Sequence, residues 1–275
     1  MRKITKKRVF SKYSIFSILA LFLVMLVSWS IVSGFLDILF MDYSAPDLTK
    51  DLTKSEIRFI LLDQILVWET LVSSSISYVV YFFPLFAVLP VISFWKERTT
   101  IMNMACHREK SLKKTYYKMI CQYTLIGGMT VSLSMFAYFT IFAYFMYPSI
   151  QDIGGYMDIF PDDFYINHPY LFFVFMAFSI YFFISLSYAL IGTGVALFTT
   201  KEYMVLVIPL LIYYAEQMIT MLTESKCTNI FEAVISYNTL YSTGQVFIPV
   251  IPVFIGGLLL NIIGVHRQVS EKVIG

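Results

Sequence analysis

The chain consists mainly of long apolar stretches separated by short polar connections. A helix needs about 20 predominantly apolar residues to cross a membrane, and six stretches of the sequence meet that requirement. They are Ser14–Phe40, Leu71–Trp95, Met119–Tyr147, Tyr170–Phe198, Tyr203–Leu222 and Val246–Val265. The pattern predicts an all-α integral membrane fold with six transmembrane helices, in which residues 1–275 form a single transmembrane domain.

The connection after the first stretch contains a further helix signal. Thr53-Lys54-Ser55-Glu56 has the form of a capping box, and apolar residues follow it at helical spacing from Ile57 to Trp68. We expect either a short helix that lies on the membrane or dips into it, or an outward extension of the second span.

Composition supports a location in the membrane. Of the 275 residues, 58% are hydrophobic and only 14% are charged, whereas soluble domains carry about 25% charged residues. So large an apolar excess exceeds what the core of a small globule can bury, and it must therefore face lipid. The composition excludes a soluble enzyme, a disordered protein and a nucleic-acid binder.

The distribution of charge predicts the orientation. Of the 20 Lys and Arg residues, 16 lie in the N-terminal segment, in Lys96–Lys118, at Lys201 and near the C-terminus. Cytoplasmic loops of membrane proteins hold such an excess, so we expect both termini and Lys96–Lys118 to be cytoplasmic. The loop between the third and fourth stretches, which would lie outside, contains four Asp residues and no Lys or Arg.

The sequence lacks the common signatures of catalysis. It contains no G-x-x-x-x-G-K-[ST], H-E-x-x-H or G-x-S-x-G motif. Its three cysteines occur neither as a C-x-x-C pair nor beside a histidine at the spacing of metal ligands. We therefore expect no catalytic residue, no bound metal and no cofactor in this chain.

The loop between the second and third spans carries candidate binding residues. Thr99 or Thr100 can cap a short amphipathic helix in the loop. Such a helix is suited to dock in a groove of another protein, although a positive loop is equally suited to anionic lipid headgroups. The candidate docking residues, an apolar face and a charged rim, are Ile101, Met102, Ala105, Glu97, Arg98 and Arg108.

Two acidic residues fall within predicted spans, where an ionisable group is costly and is a functional candidate. Asp37 lies close to the outer end of the first span, where it can reach water. Glu216 lies about 20 Å beyond Tyr203 at 1.5 Å per residue, beside Tyr213 and Gln217. We expect Glu216, Gln217 and Tyr213 to form either a structural polar network or part of the wall of a pathway.

Several short elements occur in a characteristic order. They are Tyr81-Phe82-Phe83-Pro84, Pro90, Glu97-Arg98, Arg108, Lys113-Lys114, Lys118, Asn167-His168-Pro169-Tyr170, Lys201-Glu202-Tyr203 and Pro209-Leu210-Leu211-Ile212-Tyr213-Tyr214. By their order and spacing, the chain from about Ser73 to Leu222 resembles the permease subunits of type-two, exporter-class bacterial ABC transporters. More narrowly, it resembles the permeases common in Gram-positive gut bacteria.

The resemblance implies a multi-pass permease of the bacterial cell membrane that exports a substrate. It would work as a dimer with a second permease copy or a homologous permease. A separate nucleotide-binding ATPase subunit would bind and hydrolyse ATP, and residues 98–107 would form the coupling helix seated on that subunit. The chain departs from related permeases at Thr99-Thr100-Ile101, where they often have a glycine, and at Lys114, where they often have an aromatic residue.

Two other classes of function are compatible with the residues. One is a non-transporting membrane sensor, or an immunity or assembly factor, that binds a ligand on its outer loops. The other is an ion-coupled secondary carrier in which Glu216 acts as the relay.

Overall fold

The computed structural model describes residues 11–43, 52–100, 112–149, 158–161, 163–223, 229–235 and 242–274. Within these residues the chain is helical and contains no β-strand. Six of the described segments are long and apolar enough to cross a membrane, which confirms the predicted number and order. We call them spans one to six: Lys12–Val32, Trp68–Thr99, Leu112–Phe142, Pro169–Phe198, Met204–Thr223 and Gly244–Ser270.

Span one is shorter than the apolar pattern predicts. The predicted stretch Ser14–Phe40 is divided into the helix Lys12–Val32 and a separate short helix, Phe35–Phe40. Gly34 lies between them with φ of 76°, a conformation that glycine adopts at no steric cost. Asp37 consequently belongs to the short helix beyond span one, and the prediction that placed it inside the span is wrong.

Spans two and four each consist of two helices. Span two contains Trp68–Val88 and Val91–Thr99, and span four contains Pro169–Phe178 and Ile180–Phe198. Span five is the helix Met204–Thr223, and span six combines a short helix with a long one. The two helices of span six are Thr243–Phe247 and Val250–Ile274. Two short helices lie in the connections before spans four and six, Phe164–Asn167 and Ile230–Val234.

Spans two and three are longer than a membrane requires. They have 32 and 31 residues, or about 48 and 46 Å at 1.5 Å per residue, against about 30 Å of hydrocarbon. Lys96 and Thr99 end span two, while Lys113, Lys114 and Lys118 lie in the first two turns of span three. Both helices thus extend out of the hydrocarbon at one end of the bundle, which we call the basic end.

The helix signal after span one is confirmed by the helix Lys54–Ile65. The Thr53 hydroxyl accepts a hydrogen bond from the backbone N–H of Glu56, whose carboxylate accepts one from the N–H of Thr53. The helix ends at Leu66, and Val67 is extended. The alternative that this helix continues into span two is therefore excluded.

The second helix of span four, Ile180–Phe198, forms the centre of the bundle. It packs against spans two, three, five and six, and 15 of its 19 residues are buried. Most residues of spans one, five and six are not buried, so their outer faces are available to lipid. The core therefore lies around span four, and both candidate sites described below contact it.

Candidate functional site

Glu216 belongs to a polar cluster between spans four and five. The hydroxyl of Tyr188, a fully buried residue of span four, donates a hydrogen bond of 2.6 Å to Glu216 Oε2. The tyrosine rings of Tyr188 and Tyr213 pack edge to face, with centroids 5.5 Å apart. The hydrogen-bond donor to the Glu216 side chain thus comes from a different span.

The two residues expected to support Glu216 have other surroundings. Tyr213 turns its hydroxyl to span two, where it donates to the carbonyl oxygen of Val80 at 2.5 Å. Gln217 makes no hydrogen bond to Glu216, and its Oε1 is buried without a partner in the described part of the chain. Tyr213 thus contacts the cluster through its ring, while Gln217 stays outside it.

The chemistry of this cluster follows from the isolation of its carboxylate. Among the described residues Glu216 has no ion-pair partner, and Tyr188 is the side chain that donates to it. An ionised carboxylate in an apolar surrounding is costly unless it is paired. The Glu216 carboxyl group is therefore suited to carry a proton or to hold a cationic group.

A second cluster lies at the basic end, where Arg98 closes the end of span four. The Arg98 side chain is only 8% exposed, and it donates to the carbonyl oxygens of Leu197 at 3.0 Å and Thr199 at 2.6 Å. Trp95 also donates to the Thr199 carbonyl, at 3.2 Å. The last carbonyls of a helix lack hydrogen-bond partners within the helix, and the helix dipole gives this end a partial negative charge. The guanidinium of Arg98 provides both hydrogen-bond donors and a positive charge.

Neighbouring residues tie span two to three further elements. Lys96 forms an ion pair of 3.0 Å with Glu202, which precedes span five. Lys96 also donates a hydrogen bond to the hydroxyl of Tyr13 in span one. Glu97 accepts a hydrogen bond of 2.7 Å from Tyr123 of span three. We call Trp95, Lys96, Glu97 and Arg98 the clamp, because these four consecutive residues join span two to spans one, three and four and to the start of span five.

Of the six predicted docking residues, the structure describes only Glu97 and Arg98. Glu97 and Arg98, expected on the charged rim, instead bond within the bundle, because the helix Val91–Thr99 turns them towards spans three and four. Ile101, Met102, Ala105 and Arg108 lie outside the described residues, as does the predicted coupling helix.

The sequence reasoning missed Tyr188 and Tyr123. Each is a tyrosine inside an apolar span, and a buried phenol usually needs a hydrogen-bond partner. That requirement could have marked both residues, although it could not have named their partners on other spans.

The end of the bundle opposite the clamp is held by another carboxylate. Glu69 at the start of span two accepts hydrogen bonds from the Tyr165 hydroxyl at 2.7 Å and from the Ser149 backbone N–H at 3.2 Å. Burial and the bond to Glu69 raise the pKa of Tyr165 above its ordinary value of 10. Tyr165 therefore remains a neutral donor that joins the start of span two to the connection between spans three and four.

Among the described residues no group of three or more His, Cys, Asp or Glu side chains is arranged to hold a metal ion. No model of a known protein family, no curated protein and no solved structure matches the chain.

Proposed function

We propose that the protein is the transmembrane permease subunit of an ABC transporter, which exports a substrate with energy from a separate nucleotide-binding ATPase subunit. A second copy of the chain, or a homologous permease, would complete the pathway. The identification of the transporter class rests on the resemblance of residues 73–222. The structural observation that supports it best is the clamp.

The clamp is placed where a driven membrane subunit needs a mechanical connection. The helix Val91–Thr99 ends directly after the clamp and span three begins at Leu112, so the predicted docking loop is joined in sequence to the clamp. A displacement of that loop therefore acts through Arg98 on span four, through Glu97 on span three and through Lys96 on span one. A loop that only bound lipid headgroups would not need such ties.

The Glu216 cluster favours a second candidate, an ion-coupled carrier. Its lone carboxylate, bonded to one phenol at membrane depth, has the chemistry of a proton relay. In the ABC proposal the same carboxylate lies on the pathway wall or in a supporting network.

The decisive experiment is purification of the tagged protein from its native membrane, followed by measurement of the ATPase recovered per permease. We expect an ATPase with the wild-type chain, and loss of it in Ile101→Asp/Met102→Asp, because the apolar face of a docking helix provides most of its anchoring area. The matched control is Lys113→Ala/Lys114→Ala, which removes two exposed charges from the start of span three and should leave recovery unchanged.

Other outcomes would decide against the proposal. Unchanged recovery with the double Asp variant, or loss only with the lysine variant, would make the loop a lipid anchor. If the wild-type protein carries no ATPase and its transport collapses with the proton gradient, the carrier is correct. Absence of both an ATPase and transport would favour the non-transporting sensor or assembly factor.

A further inference from the structure

Span two has two prolines that each remove one hydrogen bond from its helical ladder. Proline has no N–H, so Pro84 cannot donate to the carbonyl of Val80, its partner four residues earlier. The hydroxyl of Tyr213 in span five replaces the missing donor at 2.5 Å. A group from another span thus completes the backbone of span two at Pro84.

The same replacement occurs at Pro90, between the two helices of span two. Pro90 cannot donate to the carbonyl of Phe86, and the hydroxyl of Ser17 in span one donates to it at 2.5 Å. Ser17 and the backbone around Phe86 are both buried. Two prolines on one span are therefore matched by two hydroxyls on two different spans.

A third hydroxyl from a neighbouring span bonds to both a backbone carbonyl and a backbone N–H of span two. Ser28 of span one donates to the carbonyl of Ser74 at 2.5 Å and accepts from the N–H of Tyr78 at 3.2 Å. In a regular helix this N–H and this carbonyl bond to each other. Insertion of a side chain at such a position is a recognised cause of helix bending.

These contacts matter because the hydrocarbon provides no water to pair with a free carbonyl. Each neighbouring hydroxyl lowers the free-energy cost of the interruption that it fills, so the shape of span two is coupled to spans one and five. The prolines also lower the cost of bending at two points, one beside the Glu216 cluster and one just before the clamp.

We propose that span two is a hinge with pivots at Pro84 and Pro90, and that the hydroxyls of Tyr213 and Ser17 are latches that hold it in the observed shape. Bending at Pro84 draws the Val80 carbonyl away from Tyr213, whose ring packs on Tyr188, the donor to Glu216. Movement of the clamp is thereby transmitted to the buried carboxylate. Only the link to transport rests on the proposed function; the hinge itself does not.

The latch at Pro84 can be tested by a double-mutant cycle on the full chain in detergent. Tyr213→Phe removes the donor to Val80 and should raise the unfolding equilibrium constant roughly threefold, the size typical of a hydrogen bond between spans. In the Pro84→Ala background, residue 84 supplies the N–H itself, and Tyr213→Phe should then change the constant much less. Equal effects in both backgrounds would overturn the latch.

Tyr214→Phe is the matched control. The Tyr214 hydroxyl donates to the carbonyl of Tyr81 at 2.9 Å, whose helical partner Leu85 keeps its N–H. This substitution should therefore have the same effect in the wild-type chain and in the Pro84→Ala background. If the effect of Tyr214→Phe depended on the background as strongly as that of Tyr213→Phe, Pro84→Ala would alter the stability of this region in general. That result would contradict a specific latch between Tyr213 and Val80.

The hinge is tested separately by the distance between spin labels at positions 78 and 100, two exposed sites on either side of both prolines. The wild-type protein in lipid should give a broad or divided distance distribution, and Pro84→Ala/Pro90→Ala a single narrow one. Identical distributions would overturn the hinge. Neither measurement depends on an ATPase, so failure of the proposed function would leave both results standing.

Discussion

A methyl group added to Gly127 of span three would lie 2.6 Å from the backbone carbonyl oxygen of Ala87 in span two. It would also lie 2.5 Å from the Cβ of Ala189 in span four. Three spans therefore meet at a point where only glycine fits, because neither a backbone carbonyl nor a Cβ can rotate away.

The Gly127 contact predicts a pair of opposite results. Gly127→Ala should destabilise the protein by about 1–3 kcal/mol, the usual cost of overpacking a core. Gly256→Ala in span six meets nothing within 4 Å and should be neutral or slightly stabilising, since alanine is the better helix former. Thermal unfolding in detergent compares them, and equal midpoints would contradict the close packing of spans two, three and four.

Glu216 is predicted to serve activity more than stability. Glu216→Leu should insert normally, because it makes span five more apolar, yet impair the ATP hydrolysis or transport of the purified complex. Glu216→Gln should be milder, as an amide keeps hydrogen-bonding capacity. Gln217→Leu, which lies outside the cluster, is the matched control and should keep activity.

A double variant separates the effect of Glu216 on stability from its effect on activity. Glu216→Leu alone leaves the buried Tyr188 hydroxyl without its partner, whereas Tyr188→Phe/Glu216→Leu removes both groups and should be nearly neutral for unfolding. Full activity of Glu216→Leu would make this residue a tolerated acid. Strong destabilisation of the double variant would make the cluster structural.

Arg98 should be among the most sensitive charged residues in the described chain. Arg98→Met leaves the carbonyls of Leu197 and Thr199 without the guanidinium, and hydrogen bonds to charged groups contribute about 1.5–3 kcal/mol. Arg98→Lys should recover only part of this, since an ammonium cannot reproduce the fork. Unfolding measurements should show no comparable loss in Lys113→Met; a loss of equal size there would contradict the role of the clamp.

The helix Lys54–Ile65 should weaken in acid. Hydrogen bonds from the Thr53 side chain and backbone lower the pKa of Glu56 below its ordinary 4.5. Because the pKa is lower in the folded helix than in the unfolded chain, the ionised Glu56 carboxylate stabilises the helix fully when the pH is above the ordinary pKa. This contribution is lost as the pH falls through the folded-state pKa. The protection of the first-turn amides, measured as their exchange rate relative to that of an unfolded chain at the same pH, should therefore decrease in this range. Glu56→Gln should lose this pH response, and an unchanged response would refute the capping role.

Orientation is predicted by charge and can be measured by labelling. With the native cysteines replaced, a single cysteine at position 110 should be protected from an impermeant thiol reagent in intact cells. One at position 54 should react, because the predicted topology places it outside. Labelling of position 110 from outside would reverse the topology.

Sequence reasoning and structure agree best where a single helix carries the information. The capping box at Thr53 and Glu56 was readable because both partners lie within four residues. The first span was predicted too long because Phe35–Phe40 is as apolar as the helix before it, and only the turn at Gly34 separates them.

The partners of Glu216 and Arg98 could not be assigned in the same way. Glu216 was identifiable as an acid in an apolar stretch, but Tyr188 lies 28 residues away on another span. Arg98 resembled a surface charge near a loop, whereas the structure turns it to carbonyls 99 and 101 residues further along the chain.

The order of residues was enough to establish the helical class, the number and order of the spans and the position of the prolines in span two. This is because the thickness of the hydrocarbon sets the length of a span, and because each span satisfies most of its own backbone. The pairing of each hydroxyl with its carbonyl emerged only from the packed bundle. Tyr213 lies 133 residues from Val80, and Ser17 lies 69 from Phe86. When every face of a helix is apolar, its periodicity does not distinguish the face that meets a neighbour from the face that meets lipid, so these contacts depend on packing alone.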